Sequence, residues 1–173
     1  MEEKRLEILV VEDTPLHQEA ARELLKEHNV TIVSTFDEAA DLLCGGPYGT
    51  KDTKREYDVV LTDMFFPQGR GDCMRAKSMS QITEHPFGYA IAMMAVKEGV
   101  EFIAILSDAD HHESPMAYTL DFFHVGFDGV NPINIEVEGA GKSRIALANT
   151  GRMEHAHKTA DGRIGTLEEV GEK

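Results

Sequence analysis

Three acidic residues stand directly after short apolar segments, where strands of a parallel sheet would end. Glu12 and Asp13 follow the apolar run at residues 6–11, and Asp63 follows the run at residues 57–62. Carboxylates that converge repel one another and stay ionised most easily around a divalent cation. Oxygen ligands without cysteine or histidine suit Mg²⁺ or Mn²⁺. A carboxylate beside such an ion can also attack a phosphoryl group and form an aspartyl-phosphate.

The elements that must position these carboxylates alternate between strand and helix patterns. Apolar runs typical of strands occupy residues 6–11, 30–34, 57–62 and 100–106. Helical spacing of apolar residues follows at residues 14–28, 37–43, 86–97 and 114–124. Such alternation is typical of an α/β fold with a parallel sheet and helices on both faces, in which ligand sites lie at the carboxyl ends of the strands. The polar, Gly-rich segment 66–86 is long for a loop and is predicted to be an insertion after the third strand.

Length and composition limit the class of protein. The 173 residues fit one domain, predicted at residues 1–152, followed by a polar tail at 153–173 with at most a partial helix. A net charge of −14 argues against direct nucleic-acid binding, which needs clustered Lys and Arg. No apolar run approaches a membrane span or a signal-peptide core, and the two cysteines are too few for a disulfide framework. We therefore expect a cytoplasmic protein that binds neither nucleic acid nor membrane.

Three segments resemble, in their order and spacing, the receiver domain of two-component response regulators. Residues 8–13 (ILVVED) resemble its first strand and acidic pair, and residues 104–109 (AILSDA) resemble its fourth strand. Residues 59–71 (VVLTDMFFPQGRG) resemble the third strand and phosphorylation loop, with Pro67 and Gly71 four and eight residues after the aspartate. The resemblance covers about the first 125 residues. It implies a flavodoxin-like, doubly wound, five-stranded parallel sheet.

The resemblance also implies a role for each site residue. Asp63 would accept the phosphoryl group, and Ser107 would be the switch hydroxyl that hydrogen-bonds it. Glu12, Asp13, Asp63 and the backbone carbonyl of Phe65 would hold Mg²⁺, or Mn²⁺ in its place. The phosphate would come from a sensor histidine kinase or a phosphotransfer protein of a phosphorelay. A stand-alone receiver of this kind acts through protein–protein contacts and is not an enzyme. The sequence does not indicate its downstream target.

The chain departs from the family at the end of the fifth strand, where receivers carry a lysine that pairs with the phosphoryl oxygens. Two segments compete for this strand. If the strand ends before Pro132, Asn131 takes the lysine position. If the strand is 143–149, which we favour because its apolar run is the more typical of a buried strand, Asn149 takes it. Loss of this fixed positive charge weakens phosphoryl binding. A pseudo-receiver that keeps the fold as an interaction module, without phosphoryl transfer, is therefore an alternative function.

A second alternative comes from Asp110, His111 and His112. This Asp-His-His string follows an apolar strand and resembles a motif of DHH phosphoesterases, which cleave phosphoesters with Mn²⁺. Mixed histidine and aspartate ligands suit Mn²⁺ or Zn²⁺. That family also carries an Asp-x-Asp loop after its first strand, whereas this chain has Glu12-Asp13 followed by threonine. The alternative is a metal-dependent phosphoesterase that uses this loop.

Overall fold

The computed structural model describes residues 4–45, 54–69, 83–107, 115–116 and 133–149. The strands within these residues are β1 (Glu7–Val11), β2 (Asn29–Val33), β3 (Val59–Asp63), β4 (Phe66–Pro67), β5 (Glu84–His85), β6 (Phe102–Ser107), β7 (Ile133–Val137) and β8 (Gly141–Asn149). The helices are α1 (Pro15–Leu24), α2 (Phe36–Cys44) and α3 (Gly88–Lys97). Strands β1, β2, β3 and β6 and helices α1, α2 and α3 lie close to their predicted positions. The predicted helix at residues 114–124 lies outside the described residues except for 115–116, and the predicted tail at 153–173 lies outside them entirely. In this described part of the chain, no helix has the length and apolar character needed to cross a membrane.

Six strands form one sheet in the order β2-β1-β3-β6-β8-β7. The strands from β2 to β8 are parallel to their neighbours, and their order is that of flavodoxin-like doubly wound sheets. The predicted fold class is therefore confirmed. The structure adds β7, which pairs antiparallel with β8 at the edge of the predicted five-stranded sheet. The fifth parallel strand is β8, which corresponds to the segment 143–149 that the sequence favours. Residues 131–132 lie outside the described residues.

The helices lie on both faces of this sheet. The chain moves from β1 to β2 in one direction, and from β2 to β3 and from β3 to β6 in the other. Right-handed crossovers therefore place α1 on one face and α2 and α3 on the opposite face. The core between the sheet and these last two helices includes Leu9, Val60, Ile103, Ile145, Ala39, Leu43, Ile91 and Ala95.

Helix α2 begins directly after β2, where two hydrogen bonds between side chain and backbone fix its first turn. The Thr35 hydroxyl accepts a hydrogen bond from the Glu38 N–H at 3.4 Å, and the Glu38 carboxylate accepts one from the Ser34 N–H at 3.2 Å. The first bond satisfies one of the backbone donors that the first helical turn leaves unpaired, and the second joins that turn to the residue that follows β2. The helix ends at Gly45, whose left-handed backbone (φ 78°) suits glycine. The start of α2 is thereby fixed at the carboxyl edge of the sheet.

Candidate functional site

Glu12, Asp13 and Asp63 meet at the carboxyl edge of the sheet. Glu12 and Asp13 directly follow β1, whereas Asp63 is the last residue of β3. Strands β1 and β3 are parallel, with Val11 opposite Thr62, so the three side chains leave the sheet at the same edge. One carboxylate oxygen of each residue lies within 4.8 Å of the corresponding oxygens of the other two. This separation, in partly buried surroundings, allows one cation to contact all three carboxylates.

The surroundings of Asp13 raise the pKa of its carboxyl group. Burial, the negative charge of Glu84 and then that of Glu12 raise it from 3.8 to about 6. A hydrogen bond from its own backbone N–H and the nearby His17 oppose this rise. Burial first, and then repulsion by neighbouring carboxylates, thus favours the neutral form of Asp13, and a bound cation would relieve the repulsion. A donor set of carboxylates alone fits a hard divalent cation such as Mg²⁺.

Helix α1 holds Glu12 in position. The Thr14 N–H donates to one carboxylate oxygen of Glu12 at 2.9 Å, and His17 Nδ1 lies 3.3 Å from the other. The side-chain amide of Gln18 donates to the Glu12 carbonyl at 2.7 Å, while the Glu12 N–H donates to the Val33 carbonyl at 2.9 Å. Both the backbone and the side chain of Glu12 are therefore oriented by neighbouring elements before any ligand binds.

The backbone around Asp63 is fixed between β6 and α3. The Met64 N–H donates to Asp63 Oδ1 at 2.6 Å and to the Leu106 carbonyl at 2.9 Å. The Thr62 hydroxyl donates to the Asp63 carbonyl at 2.8 Å. A Cβ at Gly88, the first residue of α3, would lie 2.5 Å from that same carbonyl oxygen. Glycine is needed there because the helix meets the strand end backbone to backbone.

Ser107 and Asn149 end the next two strands along the sheet. Ser107 is buried at the end of β6 and lies opposite Asn149 of β8 in the parallel register. Asn149 therefore occupies the strand-end position where the resembled family carries its lysine. Lys142 lies at the other end of β8, where its Nζ is 3.9 Å from Oε2 of Glu136. The sequence prediction for Asn149 agrees with this register.

Other predicted site residues have different outcomes. Phe65 lies between β3 and β4, two residues after Asp63, and its carbonyl stays a predicted ligand. The residues Asp110, His111 and His112 of the phosphoesterase hypothesis lie outside the described residues. The roles of Asp63 as phospho-acceptor and of Ser107 as switch hydroxyl stay predictions.

Sequence reasoning missed two residues near the carboxylates. His17 lies in the first turns of α1, and a helix that starts directly after a strand end must return its first turns over that end. The sequence contains this signal, because the helical pattern of α1 starts only three residues after the apolar run of β1 ends. Glu84, whose charge reaches Asp13, belongs to β5. Its position depends on pairing with β4 across the intervening chain, for which the sequence gives no local signal.

Comparisons with known proteins give one likeness to report. No protein-family model matches the chain, and no curated protein matches it. Among solved structures, the chain is similar to the crystal structure of the phosphorylated cyanobacterial phytochrome response regulator RcpA, at 20% sequence identity and a TM-score of 0.40. The likeness covers 67% of this chain and 75% of that one.

Proposed function

We propose that this chain is a receiver-type signalling protein of the response-regulator class. In this proposal Glu12, Asp13 and Asp63 bind Mg²⁺, or Mn²⁺ in its place, and Asp63 accepts a phosphoryl group. The observation that carries the proposal is the convergence of these carboxylates within 4.8 Å at the carboxyl edge of a flavodoxin-like sheet. Ligand sites in such sheets lie at this edge, where the strand order reverses.

The chemistry follows from the position of Asp63. A bound divalent cation would offset the charge of the carboxylates and of the incoming phosphoryl oxygens. An oxygen of Asp63 attacks phosphorus, and the bond from phosphorus to the donor's leaving group breaks as the aspartyl-phosphate forms. The Met64 N–H, 2.6 Å from Asp63 Oδ1, fixes the orientation of the attacking carboxylate. Ser107, at the end of the adjacent strand, is the proposed hydrogen-bond donor to the phosphoryl group.

The proposed partners follow from this chemistry. A sensor histidine kinase or a phosphotransfer protein would supply the phosphoryl group, and the phosphorylated protein would act through contacts with another protein. Asn149 can donate a hydrogen bond but carries no charge, so this strand-end position does not supply the fixed cation that a lysine provides. We therefore expect a less stable aspartyl-phosphate than a lysine-bearing site would hold.

Phosphorylation by a small phosphodonor tests the proposal. Incubation with acetyl phosphate and Mg²⁺ should add the mass of one phosphoryl group to the intact protein, as measured by mass spectrometry. Asp63→Asn should abolish this addition because it removes the nucleophile. Asp58→Asn is the matched control, since Asp58 precedes β3 at the opposite edge of the sheet and pairs with Lys4 at 3.0 Å. Addition that persists in Asp63→Asn contradicts the proposed acceptor.

The pseudo-receiver is the second candidate function, and the place of Asn149 at the end of β8 favours it. It predicts a protein that binds Mg²⁺ yet gains no mass with acetyl phosphate. The phosphoesterase alternative depends on residues 110–112, and nothing in the described part of the chain favours it.

A further inference from the structure

One face of the sheet is only half covered by the described part of the chain. Helices α2 and α3 lie on one face, whereas α1, which connects β1 to β2, belongs over those two strands on the other. On the α1 face, the described residues place no helix over β3, β6 and β8. Parallel sheets are ordinarily covered on both faces, because their strands are apolar on both. This half of the α1 face is therefore a candidate contact surface.

Strand β6 shows which side chains form this surface. Ile103 and Ile105 are buried in the core beneath α2 and α3. Phe102 and Leu106 alternate with them along the strand, and their exposed fractions are 41% and 39%. Ala104 lies between these two large side chains. We define the β6 face as the apolar residues on this side of three neighbouring strands, namely Val59, Leu61, Phe102, Ala104, Leu106 and Ala146.

A hollow lies at the centre of the β6 face. Leu61 of β3 and Ala146 of β8 lie opposite Ala104 in the parallel register, so two small side chains adjoin there between larger ones. The hollow has a volume of about 240 Å³, and Arg144 contributes to its wall. Pockets for small molecules are larger, at roughly 300–1,000 Å³, and carry several polar groups. The hollow therefore suits an apolar side chain of a protein better than a small ligand.

The charges beside the β6 face balance one another. The Arg144 guanidinium lies over the Phe102 ring, 4.2 Å from its centroid, and donates to the Glu101 carboxylate at 2.8 Å. On the same strand, Lys142 Nζ lies 3.9 Å from Oε2 of Glu136. These two ion pairs carry no net charge, although the chain as a whole carries −14. A basic partner thus finds no excess of negative charge in these pairs, whereas another acidic protein can approach here with little local repulsion.

We propose that the β6 face is the contact surface of a dimer, in which a second copy of this chain covers it. A twofold contact requires one patch that is complementary to itself. The β6 face meets this requirement, because it carries both the projecting Phe102 and Leu106 and the hollow at Ala104 and Ala146. Each copy can place a large side chain over the alanines of the other. The proposal is independent of the acidic cluster and of the function proposed for it.

The size of the β6 face sets the expected strength of the dimer. Three strands about 4.8 Å apart, with about five residues each, give a face of about 15 Å by 17 Å. Two such faces bury less than about 1,200 Å² in total, which is typical of weak association. We therefore expect a dissociation constant in the micromolar range. Because two chains of charge −14 repel each other, added NaCl should strengthen the dimer by screening that repulsion.

Sedimentation equilibrium of the full chain between about 1 and 500 μM tests the proposal. Wild type should shift from monomer to dimer mass, at lower concentrations in 0.5 M than in 0.05 M NaCl, both being approximate working values. Phe102→Glu should weaken the dimer at least about a hundredfold, because twofold symmetry buries two unpaired charges. Ala104→Leu should weaken it about tenfold by filling the hollow. Met93→Glu is the matched control, since Met93 is exposed on α3 at the opposite face, and it should dimerise like wild type.

Three results would overturn the proposal. They are a wild type that stays monomeric throughout, a dimer that persists in both Phe102→Glu and Ala104→Leu, and a dimer that NaCl weakens. For a monomeric wild type, urea denaturation of Phe102→Glu identifies the alternative. Strong destabilisation would show that another segment of the same chain covers the β6 face, and unchanged stability would show that the face is open to solvent. If Phe102→Glu does not fold, Ala104→Leu and the salt dependence still decide between the outcomes.

Discussion

The pKa of Asp13 is raised to about 6, first by burial and then by the charges of Glu84 and Glu12. A proton and a cation therefore compete for this carboxylate in mildly acidic solution. Glu12 differs from Asp13 in having its carboxylate oxygens oriented by the Thr14 N–H and by His17. Asp13 and Glu12 are both carboxylates, but their different surroundings give them different roles. Asp13 is the one whose pKa is raised, and Glu12 is the one held in a fixed orientation.

This competition predicts the pH dependence of Mg²⁺ binding. Affinity should weaken as the pH falls through about 6, because protonation of Asp13 removes a ligand. Asp13→Asn should bind Mg²⁺ about tenfold more weakly at neutral pH, equivalent to about 1.4 kcal/mol, and should lose most of the pH dependence. Calorimetric titration between about pH 5 and pH 8 measures both effects. An unchanged pH dependence in the variant would exclude Asp13 as the titrating ligand.

The same carboxylate predicts how the metal-free protein responds to pH. The pKa of Asp13 in the folded protein, about 6, lies above its ordinary value of 3.8, so the folded state binds the proton more tightly than the unfolded state. Its contribution to stability is therefore present below about pH 4 and is lost as the pH rises through about 6. Asp13→Asn should lack this loss and be more stable than wild type at neutral pH without metal. Urea denaturation in a chelating buffer measures the difference, and a less stable variant would contradict it.

At the scale of elements, the site depends on how α3 meets the end of β3. Gly88 packs its backbone against Asp63 and Met64, where a Cβ would lie 2.5 Å from the Asp63 carbonyl oxygen and 2.8 Å from the Met64 Cα. Because both contacts are to backbone, a side chain at position 88 must displace the helix or the strand end. The helix also follows closely after β5, the strand that carries Glu84.

Gly88→Ala is therefore expected to destabilise the fold by about 1–3 kcal/mol, as overpacking does. Helix propensity alone predicts the opposite sign, since alanine favours a helix over glycine by about 1 kcal/mol. The variant should also weaken Mg²⁺ binding because Asp63 moves. Met93→Ala, at an exposed position of the same helix, is the control and should change stability by about 0.5 kcal/mol or less. Thermal and urea denaturation measure these changes, and a stabilised Gly88→Ala would contradict the packing argument.

The elements differ in how far the sequence predicts them. Glu12, Asp13 and Asp63 could be placed because each follows an apolar run, and the end of such a run coincides with the end of a buried strand. The position of Asn149 needed the pairing of β6 with β8, since two segments could have formed the fifth strand. Strand β7 and Glu84 could not be predicted, because their places depend on pairing partners rather than on local pattern.

At the scale of the whole molecule, the net charge of −14 affects every measurement with cations. Self-repulsion at this charge destabilises the compact state, and any added salt screens it. A specific cation site must therefore be separated from general screening. The parallel sheet concentrates three carboxylates at one edge, so one divalent ion there should act differently from the same ionic strength of NaCl.

We accordingly expect Mg²⁺ to raise the melting temperature more than NaCl at equal ionic strength. At about a hundredfold excess over its dissociation constant, a ligand that binds only the folded state adds about 2.7 kcal/mol, or about 5–10 °C for a domain of this size. Asp63→Asn should lose much of the difference between the two salts. Differential scanning calorimetry measures it, and equal stabilisation by both salts in wild type would indicate screening alone.

The central claim is that the acidic cluster is a cation-dependent phosphoryl acceptor site centred on Asp63, and NMR with beryllofluoride tests it most directly. The predicted result is a set of backbone amide shifts around Asp63 and Ser107 that needs both Mg²⁺ and beryllofluoride and disappears in Asp63→Asn. Shifts with Mg²⁺ alone, and none on addition of beryllofluoride to the intact fold, would contradict the claim and leave a cation-binding interaction module.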